Sequence, residues 1–122
     1  MASKLAESDR IREELIFFQR NFPKKKDGAV LDGRDIGSVI FPDAKIKLFV
    51  TADLAVRAQR RQVDYIRMGQ EYSLRDLTKK LKERDKRDKN RKVSPLICMP
   101  DAIVFDNSEI SYERLNLSLI HI

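Results

Sequence analysis

The sequence predicts an α/β fold built on a parallel sheet, and three observations carry that reading. Residues 29–31, 46–52 and 102–105 are short apolar runs of the kind that form buried parallel strands. Segments with helical periodicity alternate with them, which is the order of crossover helices in such a sheet. The groups able to do chemistry cluster just past a strand end, at Asp32, Gly33, Arg34 and Asp35, where α/β folds present their ligands.

The elements follow in order. Residues 3–22 open the chain as a helix, with Ile11, Leu15, Phe18 and Phe22 at i, i+4, i+7 and i+11. Ser8 or Asp9 supplies an N-cap, and Pro23 before Lys24, Lys25 and Lys26 ends the helix in a solvated linker. The strand at 29–31 comes next. The second strand, 46–52, is nearly continuous in apolar residues, so both of its faces are expected to be covered. Asp53 caps a second helix carrying Arg57, Arg60, Arg61 and Arg67, and Gly69 stops it. Ser73 with Asp76 three residues on has the form of a capping box for a third helix, and Pro95 closes that region. The strand at 102–105 ends in Asp106, and Ser111 caps a last helix with Ile110 and Leu115 spaced as a hydrophobic staple. Residues 117–122, Leu-Ser-Leu-Ile-His-Ile, coincide with one reading frame of a transposase adapter used in sequencing libraries. His121, the single histidine, is therefore given no catalytic role.

Composition bounds the function. At 122 residues, 42% hydrophobic, the chain is expected to be a single domain with a modest core. A net charge of +6 and a pI near 9.6 favour polyanionic ligands, either nucleotides or nucleic acid. With Cys98 as its single cysteine the chain forms no internal disulfide, which suits a reducing compartment. The lack of a membrane-length apolar run or a signal-peptide pattern predicts a soluble, cytoplasmic protein.

The stretch Gly28 to Ala44 is the one the chain is arranged around. Two carboxylates, a guanidinium and two glycines, Gly33 and Gly37, fall together after the apolar run. Glycine lets backbone approach a ligand closely, arginine grips phosphate with a fork, and a strand-end aspartate can orient a hydrated metal or a hydroxyl. In isolation Asp-Gly-Arg-Asp reads as a charged turn; its place after a strand favours a site.

The third helix carries the sharpest signal. Leu74, Leu77 and Leu81 define an apolar stripe, and at helical spacing that stripe continues onto Arg84, Asp88 and Arg91. Charges then fall where burial is expected, which is costly unless a ligand or partner satisfies them. A solvated helix laced with salt bridges is the plainer alternative, because Glu83, Asp85, Arg87 and Lys89 crowd the same segment, but the stripe favours a site.

These segments resemble one family. Asp-Gly-Arg-Asp-Ile-Gly-Ser-Val-Ile-Phe-Pro-Asp-Ala at 32–44 is similar to the central signature of bacterial cytidylate kinases. Residues 47–52 with the Arg-rich helix after them, and Lys-Glu-Arg-Asp-Lys-Arg-Asp-Lys-Asn-Arg-Lys-Val-Ser-Pro-Leu at 82–96, are similar to later segments of the same family. The resemblance implies the phosphate-loop nucleoside monophosphate kinase fold, ATP and magnesium as cofactors, and CMP or dCMP as acceptor. It implies that Arg34 contacts the acceptor phosphate, that Asp35 and Arg12 read cytosine with Ser3, that Arg84 and Asp88 hold the ribose, and that Arg91 lies between base and phosphate. It places Asp32 toward the magnesium shell without direct ligation, Arg87 near the ATP phosphates, and a lid within residues 57–91. It implies a monomer that binds neither membrane nor nucleic acid.

Two departures qualify the resemblance. Cys98, Met99 and Pro100 stand where the family usually has Pro-Ala. The chain also contains no Gly-x-x-Gly-x-Gly-Lys phosphate loop, so it is expected to be the C-terminal half of such a kinase, inactive alone and marginally stable. Without the phosphate-loop strand, the runs at 29–31 and 46–52 are expected either to pair directly or to leave unsatisfied backbone. Two rival readings remain at this point. One is a non-catalytic fragment or subunit whose partner chain supplies the loop. The other is a basic nucleic-acid-binding module resting on the Lys79–Lys92 segment, whose face Glu83, Asp85 and Asp88 interrupt.

Overall fold

The computed structural model describes residues 8–25 and 28–111. Ser3 and the expected C-terminal helix with Leu115 lie outside the described residues, as does the adapter-like tail. The chain forms two compact units, one drawn from residues up to Lys47 with Arg84–Ala102, the other from Leu48–Glu83 with Ile103 onward.

In the first unit, helix α1 spans Asp9–Asn21, with Ser8 at the N-cap position. Its stripe residues Ile11, Leu15, Phe18 and Phe22 are there, yet all remain substantially exposed. A 3-10 turn at Pro23–Lys25 ends the helical run where proline was expected to end it. Residues 29–31 do not form a strand. Val30 is fully exposed, and among the described residues no strand pairs with this run. An apolar tripeptide becomes a strand only through a neighbour that takes up its amides and carbonyls, and here none does.

The chain then makes a single wide helical turn over Ile36–Ile40, unanticipated from sequence. Ile40 N donates to the Asp35 carbonyl at 3.2 Å and Phe41 N to the Ile36 carbonyl at 2.7 Å, the i→i−5 pattern of a π-turn. Two contacts favour it. Ile40 is buried, and a Cβ on Gly37 would lie 3.3 Å from Lys47 Cδ, so glycine lets the lysine stem run close beneath the turn. Lys47 is itself only 8% exposed and donates to Asp101 Oδ2 at 2.7 Å. That hydrogen bond holds the Asp101 carboxyl below the usual carboxylate range.

The second unit holds the sheet. Strands β1, Leu48–Thr51, and β2, Ile103–Asp106, pair in parallel with Leu48 opposite Ile103 and Thr51 opposite Asp106. The α/β class with a parallel sheet is therefore present, with two short strands among the described residues. The expectation that 46–52 is covered on both faces is not met, since Leu48, Val50, Ile103 and Val104 are all exposed. With one hydrogen-bonded neighbour each, these strands lack the flanking layers that make apolar runs interior.

Helix α2, Leu54–Arg67, begins after Asp53 as expected, although the Asp53 side chain makes no capping bond. It stops at Gly69, φ +75°, where Gly69 N donates to the Ile66 carbonyl and Gln70 N to the Tyr65 carbonyl, the paired bonds of a Schellman turn. Arg60 ties this helix to the segment after β2, donating to Asn107 Oδ1 at 2.9 Å and to the Asn107 carbonyl at 2.7 Å. Helix α3, Leu74–Asn90, opens on its expected cap, with Asp76 N donating to Ser73 Oγ at 3.1 Å. Its residues from Arg84 onward belong to the first unit. Among the described residues Ile40, Ala58 and Leu77 are the buried apolar side chains, and no helix is long and apolar enough to cross a membrane.

Candidate functional site

The first unit gathers the charged groups. On α1, Arg12, Leu15, Ile16 and Gln19 share one face because they recur at i, i+3, i+4 and i+7. The loop before the π-turn adds Gly33, Arg34 and Asp35. Gly33 has no alternative here, since a Cβ would lie 2.8 Å from Ile36 Cγ1. The end of α3 and the turn after it add Arg84 and Arg91. Together these residues line a cavity of about 320 Å³, of the order of small-ligand sites.

Ion pairs organise the lining. Arg12 and Asp35 form a largely buried ion pair through Nη2 and Oδ2. Asp88, 3% exposed, accepts from Arg34 Nε at 3.1 Å and faces Arg84 Nε, one helical turn earlier, at 3.8 Å. The apolar stripe of α3 thus runs from buried Leu77 onto a buried carboxylate, and that carboxylate is neutralised by two guanidiniums rather than left bare. Arg91 Nε donates to the Ser94 carbonyl at 2.6 Å in a turn where Ser94 takes a left-handed φ of 48°. Leu96 N returns to the Asp88 carbonyl at 2.7 Å and closes that turn.

Of the residues singled out from sequence, Arg12, Arg34, Asp35, Arg84 and Arg91 line the cavity and Asp88 holds two of them. Asp32 is exposed and Arg87 half-buried, and neither lines it. Ser3 is outside the described residues. Gln19 was missed, as was Arg20, whose Nε and Nη2 donate to the Ile40 and Val39 carbonyls at 3.1 and 2.9 Å. The helical offset of Gln19 from Arg12 could have found it; nothing local points to Arg20.

Arginines that retain charge and present forked donors, set beside carboxylates that accept from hydroxyls and amines, suit one ligand type. The lining of the first unit offers both, forked cationic donors beside carboxylate acceptors. The cytidylate kinase family model matches residues 1–121, and the chain belongs to that family. It is 44% identical to the cytidylate kinase of Cereibacter sphaeroides over 92% of this chain and 54% of the relative. For the cytidylate kinase of Methylococcus capsulatus the figures are 44%, 94% and 51%, and for that of Nitrobacter winogradskyi 46%, 92% and 53%. The chain spans about half the length of the curated relatives it matches.

Proposed function

We propose that this chain carries the acceptor-nucleotide half of an ATP-dependent (d)CMP kinase, a monomeric cytoplasmic enzyme of pyrimidine nucleotide metabolism. The observation that supports it is the convergence of Arg12, Arg34, Asp35, Arg84 and Arg91 on one cavity, with Asp88 behind them. Arg34 grips the acceptor phosphate. Asp35 accepts from the exocyclic amine of cytosine while Arg12 donates to the acceptors on the same edge, a pairing that suits cytosine's donor and acceptor pattern. Arg84 and Asp88 hold the ribose hydroxyls, and Arg91 lies between base and phosphate. During transfer the guanidiniums spread positive charge over the moving phosphoryl group, and their positions hold the acceptor oxygen in line.

When bound, ATP would supply the phosphoryl group and magnesium would neutralise its charge. Arg87 is the donor this chain offers to the ATP phosphates. The exposed Asp32 carboxylate would act toward the magnesium through water, without direct ligation.

The 122-residue chain contains no phosphate-loop motif, so on this reading it binds CMP weakly and does not turn over alone. The test is a coupled assay for ADP release with ATP, magnesium and CMP, run beside titrations with CMP and AMP. The expected result is CMP binding tighter than AMP binding, weakened in Arg34→Ala, with no turnover. CMP-dependent turnover abolished by Arg34→Ala would overturn the half-enzyme reading, and equal affinity for CMP and AMP would overturn the acceptor assignment.

A further inference from the structure

We infer that Arg20, which belongs to no ligand-contacting set above, is a positioning residue that fixes where the loop presents Asp35 and Arg34. Its functional consequence rests on the acceptor-site reading. Arg12 and Arg20 lie on α1 about 12 Å apart along the helix axis. They grip the two ends of one loop segment. Arg12 pairs with the Asp35 carboxylate ahead of the π-turn. Arg20 donates from Nη2 to the Val39 carbonyl at 2.9 Å and from Nε to the Ile40 carbonyl at 3.1 Å at the end of it.

Carbonyls at the end of a helical turn have no partner within the turn, and Arg20 supplies one to two of them at once. Without Arg20 the loop is tied at its start, by the Arg12–Asp35 and Arg34–Asp88 pairs, and the carbonyls at its end lose their donor. A second anchor sets both distance and direction. The far side of the turn is held as well, by buried Ile40 and by the Lys47 stem against Gly37. A planar fork bonds two successive carbonyls from separate nitrogens in fixed geometry; lysine offers its three donors on one rotatable nitrogen, without that fixed spacing.

Base and phosphate recognition should respond differently. Asp35 tells an exocyclic amine from a carbonyl oxygen at the same position of a pyrimidine, and that depends on where one carboxylate stands. The phosphate-facing arginines come from the loop and from α3 with its following turn, so they share the load. Loosening the loop therefore harms base discrimination first.

The experiment compares the 122-residue chain with Arg20→Lys and Arg20→Gln. NMR reads the Arg12 Nε–Hε signal and the amide exchange of Ile40 and Phe41, and titrations with CMP, UMP and ribose 5-phosphate read recognition. The expected result is a displaced Arg12 signal and faster exchange at Ile40 and Phe41 in both variants. The CMP-over-UMP preference should fall about tenfold, with ribose 5-phosphate affinity held within about twofold. Unchanged Arg12 and loop signals in the variants would overturn the inference, as would equal weakening of CMP and ribose 5-phosphate, the mark of a purely structural role. If Arg20→Gln fails to fold, Arg20→Lys, which keeps the charge and one bond, decides by the same criteria. If the unmodified chain shows no preference for CMP over UMP, the acceptor-site reading fails, and the Arg12 and loop signals alone decide for or against Arg20.

Discussion

Asp88 is the residue where the proposed ligand site and the fold meet. The stripe on α3 leads to the expectation that Asp88→Ala affects ligand binding and leaves stability alone. Its burial at 3% exposure, with Arg34 and Arg84 on its carboxylate, adds a stability cost. The expected losses are about 1–3 kcal/mol of unfolding free energy and about 1.5–3 kcal/mol of CMP binding, in the range for charged hydrogen-bonded groups. Lys86→Ala, at an exposed position on the opposite side of α3, is the control and should stay within about 0.5 kcal/mol on both measures. Equal effects from the two substitutions, in urea titration and calorimetry, would mean that Asp88 has no special place. At this scale legibility follows spacing. Arg84, Asp88 and Arg91 stood out by helical spacing and Arg34 and Asp35 by their place after an apolar run, whereas Arg12 needed the family resemblance. Arg20 was hidden because its partners are backbone carbonyls, which look the same in every residue.

At the scale of elements, the helix ends and two of the three expected strands were legible and the strand at 29–31 was not, for one physical reason. A cap is settled within five residues, so Ser73 and Gly69 declare α3 and α2 without reference to anything distant. A strand is settled by its neighbour, so the apolar run at 29–31 carried strand propensity that nothing among the described residues takes up. The π-turn is likewise a product of long-range contacts, Lys47 beneath Gly37 and Arg20 on its carbonyls. Gly69 offers a clean test. A Cβ there meets nothing within 4 Å, so Gly69→Ala costs only what a left-handed φ costs an L-residue, about 1–2 kcal/mol. A drop in the urea midpoint of that size is expected, and an unchanged midpoint would mean that the Schellman turn does not hold α2.

For the whole molecule, acid is the natural stress, because a chain already at +6 gains further positive charge as its carboxylates protonate. Asp101 and Asp106 both lie below the usual carboxylate range, held there by hydrogen bonds from Lys47 and from Ser108 respectively. A depressed folded-state value means that these bonds support the fold above about pH 4 and are lost as pH falls through the lower folded-state values. The urea midpoint should therefore be level near neutrality and fall steeply below about pH 4. Lys47→Met replaces a buried ammonium with an apolar side chain of similar length, while Asp101, largely exposed, returns to water. Its neutral midpoint should be kept and its acid limb made shallower; an acid limb identical to that of the unmodified chain would count against the Lys47–Asp101 assignment.

The charges of the cavity lead somewhere else. Arg12, Arg34 and Arg84 pair with Asp35 and Asp88 and Arg91 lines the same cavity, so the site carries its own counter-ions and retains two positive charges. A phosphate monoester near pH 7 bears about −1.5 to −2 charges, so the proposed acceptor would bring the filled site close to electroneutrality. A neutral complex has little long-range field for dissolved ions to screen. Ionic strength therefore acts on how fast the ligand arrives and hardly on how long it stays.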